Sequence, residues 1–121
     1  MIGELIKIFR KARGVGVMEL SKKLGINRIS LFRIEKGQRQ PSEKTAIEAL
    51  KFLGLSEEHI YAIFVFNEML RWKMISRDTK QDEVRPFLKR LNTKDQNGRI
   101  LSRYFERILN QKRHAAKRNR T

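Results

Sequence analysis

An all-α fold is what this 121-residue sequence predicts. Apolar residues recur at three- and four-residue spacing, which gives a helix one inward face. Glycines and capping residues cut that pattern into five segments within the first 75 residues. A helical C-terminal extension and a basic tail complete the chain.

The first segment, residues 2–13, places Ile2, Leu5, Ile6 and Phe9 on one face, with Lys7, Arg10 and Lys11 between them. Gly14 and Gly16 end it. Residues 17–24 turn Val17, Leu20 and Leu24 inward. Gly25 stops that helix, because glycine takes the left-handed conformation at little cost. Asn27 is a suitable N-cap for residues 28–36, since its side chain can accept a first-turn N–H. That segment carries Leu31 and Ile34 inward and ends at Gly37. Pro41-Ser42-Glu43 restarts the chain, with Ser42 as the cap, and residues 43–53 follow. Short helices joined by loops of a few residues argue for a compact helical domain over residues 1–56.

Residues 57–75 are apolar nearly all the way round: Ile60, Tyr61, Ile63, Phe64, Val65, Phe66, Met69, Leu70, Trp72, Met74 and Ile75. Their β-branched and aromatic content also suits a strand. Glu68 and Arg71 continue a helical pattern, however, and no partner strand is evident. A helix apolar on all sides needs cover on all sides. Phe64, Phe66, Leu70 and Trp72, with Tyr104 and Phe105 further on, are therefore expected to meet a second element or a second subunit. Residues 76–83 read as a polar connector. Pro86 opens a short helix through Leu91, and residues 92–98 read as a loop. Residues 99–112 form the last helix, with an apolar stripe of Ile100, Leu101, Tyr104, Phe105, Ile108 and Leu109. Arg99, Arg103 and Arg107 lie on another face. Residues 57–111 thus form a helical extension suited to dimerisation. Residues 112–121 form a basic tail with no apolar anchor, expected to be unstructured.

Charge narrows the partner. Lys and Arg number 28 against 13 Asp and Glu, a net charge of +15. Residues 1–84 hold 16 basic and 11 acidic side chains, whereas residues 85–121 hold 12 and 2. A balance this basic points to a polyanion, either nucleic acid or an anionic membrane surface. The longest apolar run, Ile60–Phe66, is far short of the roughly 20 residues a membrane span requires. The start, Met1-Ile-Gly-Glu-Leu-Ile-Lys, lacks the apolar core of a signal peptide. With no cysteine, disulfides and thiolate metal sites are excluded, which suits a reducing cytoplasm. His59 and His114 stand far apart and without companions, so they read as surface or rim residues and no metal is expected. No phosphate-cradling glycine loop or paired nucleophile and base is present. Neither a cofactor nor enzymatic activity is expected.

Residues 2–55 resemble the Cro/cI-type (XRE-family) helix-turn-helix. The matching pieces are Ile2-Gly-Glu-Leu-Ile, Glu19-Leu-Ser-Lys-Lys-Leu-Gly-Ile-Asn-Arg, Arg33-Ile-Glu-Lys-Gly and Pro41-Ser. The resemblance implies a lambda-repressor-like DNA-binding domain of five helices whose third enters the major groove. Residues at the start of such a helix reach base edges: here Arg28 and Ile29, then Phe32 and Arg33. Arg28 suits bidentate bonding to guanine, and Ile29 suits a thymine methyl. Arg33 either reads a second guanine or holds a phosphate. Asn27, Ser30, Lys36, Arg39 and Ser42 are placed for backbone phosphates, which position without specifying sequence.

Two positions depart from the family. Gly16 and Val17 stand where a polar cap and a DNA-touching Gln are usual, so Val17 offers only its backbone N–H. Phe32 stands where small or polar residues are common, and either packs on a thymine or covers its neighbours. Arg10 and Glu35 correspond to a pair that forms an internal salt bridge in several family members.

The expected function is sequence-specific regulation of transcription, as a homodimeric repressor on an inverted repeat of double-stranded DNA. The alternatives are an antitoxin whose C-terminal region binds a protein partner, and a nucleic-acid-coating protein driven by the tail. Competition with scrambled DNA and RNA separates the last.

Overall fold

The computed structural model describes residues 1–72, 91 and 94–118, with side chains up to Gln111. Among these residues there are six helices and no strand. They are α1 (Ile2–Ala12), α2 (Val17–Leu24), α3 (Arg28–Glu35), α4 (Glu43–Phe52), α5 (Glu57–Arg71) and α6 (Gln96–Arg118). The chain divides into two compact units, Met1–Ile60 and Tyr61–Thr121. The division falls inside α5 rather than after residue 56. No helix among the described residues is long and apolar enough to cross a membrane.

In the first unit, α1 and α2 each pack on both α3 and α4. The core is Ile2, Leu5, Ile6, Phe9, Leu20, Leu31, Ile34, Ala46, Ala49, Leu50, Leu53 and Leu55, all buried. The caps read from sequence set the helix starts. Asn27 Oδ1 accepts from the Ser30 N–H at 2.7 Å. Ser42 Oγ accepts from the Thr45 N–H at 3.1 Å, and Ser56 Oγ from the His59 N–H at 3.2 Å. Gly16 caps α2 with no side-chain bond. Gly25 closes α2 at φ 66°, the left-handed region.

Gly3 has a purpose that sequence alone does not show. It lies inside α1, buried against the C-terminal end of α3. A Cβ there would overlap the Ile34 carbonyl oxygen and stand 2.8 Å from its carbon. In an open helix interior, Gly→Ala stabilises by about 1 kcal/mol. Here the sign reverses, because the obstacle is backbone. Gly3→Ala is expected to cost about 1–3 kcal/mol, as overpacking does, seen as a lower melting temperature. A higher melting temperature would contradict the close approach of α1 and α3.

In the second unit, Ala62, Ile63, Phe66, Leu91, Leu101, Tyr104, Phe105 and Leu109 are buried. The Phe66 and Phe105 rings stack with centroids 4.1 Å apart, and Tyr104 meets Phe105 edge-on. This corrects the expected dimer surface. Phe66, Tyr104 and Phe105 cover one another within the protomer and are not open to a second subunit. The all-round apolar character of α5 is met partly by α6 of the same chain. Phe64 and Leu70 are half-buried, while Trp72 is 68% exposed. Tyr61, absent from that expected surface, is 72% exposed.

The last helix also differs from expectation. It begins at Gln96 because Asp95 Oδ1 accepts from the Asn97 N–H at 3.1 Å. Gly98 is therefore buried inside a helix rather than in a loop. The helix runs on through Arg118, where an unstructured tail was expected from Lys112. No glycine or proline interrupts residues 99–118, and Ala115 and Ala116 favour helix. His59, expected at the surface or rim, is buried. The predicted extension of the fifth helix to Ile75 and the connector at 76–83 lie outside the described residues. So does the short helix from Pro86, apart from buried Leu91.

Candidate nucleic-acid interface

The candidate interface is built on α3. Helical geometry at 3.6 residues per turn places Arg28, Phe32, Lys36, Ile29 and Arg33 within an arc of about 140°. Leu31, Ile34 and Glu35 occupy a separate arc. The structure follows this division: Leu31, Ile34 and Glu35 are buried, and the other five are exposed. Ile29 is 62% exposed and Phe32 52%. All four residues expected to meet base edges therefore share one open face. Lys36, assigned to phosphates, joins them.

The rear of α3 is held by charge. Arg10 on α1 donates from Nε to Glu35 Oε2 at 2.8 Å and from Nη2 to Glu35 Oε1 at 2.9 Å. Its Nη1 donates to the Val15 carbonyl at 3.1 Å, which ties in the loop between α1 and α2. Glu35 holds the Arg10 guanidinium above its usual pKa range, chiefly by hydrogen bonding. Glu35 is the sole acidic residue in 20–42, a stretch with six Lys and Arg. Because it is buried in this pair, the stretch shows no negative charge to the outside.

The expected phosphate contacts divide differently. Asn27 spends its carbonyl oxygen on capping α3, leaving its amide N–H groups for a ligand. Ser42 both accepts from the Thr45 N–H and donates to Thr45 Oγ1 at 2.9 Å. Its role is to start α4, so it is a poorer phosphate ligand than its position suggests. Arg39 Nη1 donates to Ser30 Oγ at 3.0 Å, steadying an exposed cation beside α3. Lys36 Nζ lies 4.5 Å from the Phe32 ring centroid, a contact worth about 0.5–1 kcal/mol at an exposed site.

Sequence reasoning left out Met18, which is 57% exposed in the first turn of α2. The inward spacing of Val17, Leu20 and Leu24 already turned it outward. Among the described residues no cluster of His, Asp or Glu could hold a metal.

Residues 6–60 match the family model described as Helix-turn-helix. The chain is 38% identical over 56 residues to an uncharacterised HTH-type transcriptional regulator of Methanocaldococcus jannaschii. That match covers 46% of this chain and 85% of the relative. It is 36% identical over 64 residues to another, from Methanothermobacter thermautotrophicus, covering 53% of this chain and 90% of the relative. No solved structure matches.

Proposed function

Because this chain belongs to the helix-turn-helix family of transcriptional regulators, we propose that it reads a specific double-stranded DNA sequence through the open face of α3. We propose further that it acts as a homodimeric repressor. The observation that carries the reading is the division of α3 into two faces. Leu31, Ile34 and Glu35 fasten it to the domain, while Arg28, Ile29, Phe32 and Arg33 stand free.

The major groove admits an α-helix and displays a distinct pattern for each base pair. In this reading Arg28 bonds a guanine edge, and Arg33 reads a second base or holds a phosphate. Asn27, Lys36 and Arg39 bind the backbone, with Ser30 orienting Arg39. One such helix buries too little surface for tight binding, whereas two related by a twofold axis suffice. The operator is then an inverted repeat with half-site centres about one helical turn apart. Tyr61 and half-buried Phe64 lie along one face of α5, and exposed Trp72 directly follows its last residue; together they supply apolar surface for pairing. Repression follows from occupancy of a promoter by such a dimer.

Competition against scrambled duplex and RNA at physiological salt tests the reading. Preference for one duplex supports it, and equal affinity for that duplex, scrambled duplex and RNA contradicts it. Salt gives a second check. With Lys36 and Arg39 of two protomers on phosphates, and Arg33 where it holds one, the contacts number about four to six. Raising salt from about 50 to 200 mM is then expected to weaken binding by about 10²–10³. A flat salt dependence would contradict these contacts.

A further inference from the structure

We propose that Ile29 and Phe32 form a methyl-reading surface, so that DNA is selected by two neighbouring C5-methyl groups as well as by hydrogen bonds. The inference rests on α3 being the helix that enters the major groove. Thymine presents a C5-methyl group there, and apolar side chains are its natural partners.

The fold has no use for these two side chains on the outside. The inner face of α3 is completed by Leu31 and Ile34, both buried. Ile29 and Phe32, three positions apart, are adjacent on the outer face, about 60° from each other. Both are more than half exposed. Paired large apolar side chains on an open face mark a binding surface. Cations surround them: Arg28 at one edge of the arc, Arg33 at the other, and Lys36 over the Phe32 ring. An apolar protein surface is a poor match for that rim, whereas a groove lined by phosphates is a good one. Lys36 also steadies the ring within the exposed arc.

Deoxyuridine in place of thymine tests the proposal, since it keeps every hydrogen-bonding group and lacks only the methyl. In the duplex selected by the full chain, each thymine is replaced in turn. The expected result is a loss of about fourfold at each of two neighbouring positions per half-site, the worth of one buried carbon. Phe32→Ala is expected to make one of these replacements silent, and Ile29→Ala the other. Both positions are exposed, so melting temperatures should fall little, in Phe32→Ala by no more than loss of the Lys36 contact brings. Two results overturn the proposal and leave the proposed function standing. One is unchanged affinity for every deoxyuridine duplex while scrambled DNA still competes poorly. The other is a methyl dependence that persists in both variants. A pool with no enriched sequence overturns the proposed function and this inference together.

Discussion

Arg10→Met is expected to destabilise the N-terminal unit by about 3–5 kcal/mol, the cost of removing one partner of a buried ion pair. Glu35 would keep its carboxylate in a buried site with neither guanidinium N–H that now satisfies it. The Val15 carbonyl would lose its bond as well. Small domains are stable by only about 5–15 kcal/mol, so the variant loses a large share of its stability and is expected to melt at a much lower temperature. DNA binding would fall with it, although Arg10 is buried and faces away from the open side of α3. Arg10→Met/Glu35→Leu separates the two effects. Removing both charges together is often neutral or stabilising, so the double variant is expected to recover most of the stability and, with it, DNA binding. Denaturant unfolding of the three proteins checks this. A single variant that loses less than about 1 kcal/mol, as an exposed pair would, would contradict a clamp between α1 and α3.

Arg28→Ala is expected to do the reverse, leaving the fold intact and damaging recognition. Arg28 opens α3 in a first turn that contains no acidic residue. A cation at a helix N-terminus is disfavoured by the helix dipole, typically by about 0.3–1 kcal/mol. Its presence there is a small cost to stability that packing does not explain and that the proposed DNA contact would. The variant is therefore expected to melt at the same temperature or slightly higher. Its affinity for the selected sequence should fall by about 1–3 kcal/mol, or about 10- to 200-fold. Discrimination at one base pair of each half-site should relax. Filter binding on the selected duplex and on single-base variants measures both. A lower melting temperature with unchanged discrimination would make Arg28 a structural residue.

The ends of the first four helices were legible within about one residue because local chemistry sets them. Asn27 and Ser42 supply cap oxygens, and Gly25 supplies the left-handed turn. The open face of α3 was legible for the same reason, since Leu31 and Ile34 fix which side turns inward. What escaped is long-range. Nothing near Gly3 announces the Ile34 carbonyl, and the Arg10–Glu35 pair was drawn from family likeness rather than from spacing. The apolar positions of α5 and α6 were visible, but periodicity cannot say which neighbour covers them. Phe66 and Phe105 therefore read as dimer surface when they stack inside one protomer. Gly98 misled because the cap at Asp95 outweighs one glycine in the first turn.

The central claim is that the outer face of α3 reads DNA sequence. Selection from a random duplex pool, run in parallel with the full chain and with Arg28→Ala, tests it most directly. The expected result is one enriched inverted repeat for the unaltered chain, and for Arg28→Ala the same repeat with its preference lost at one symmetry-related pair of positions. An identical preference from both proteins, or no enriched sequence from either, would contradict it.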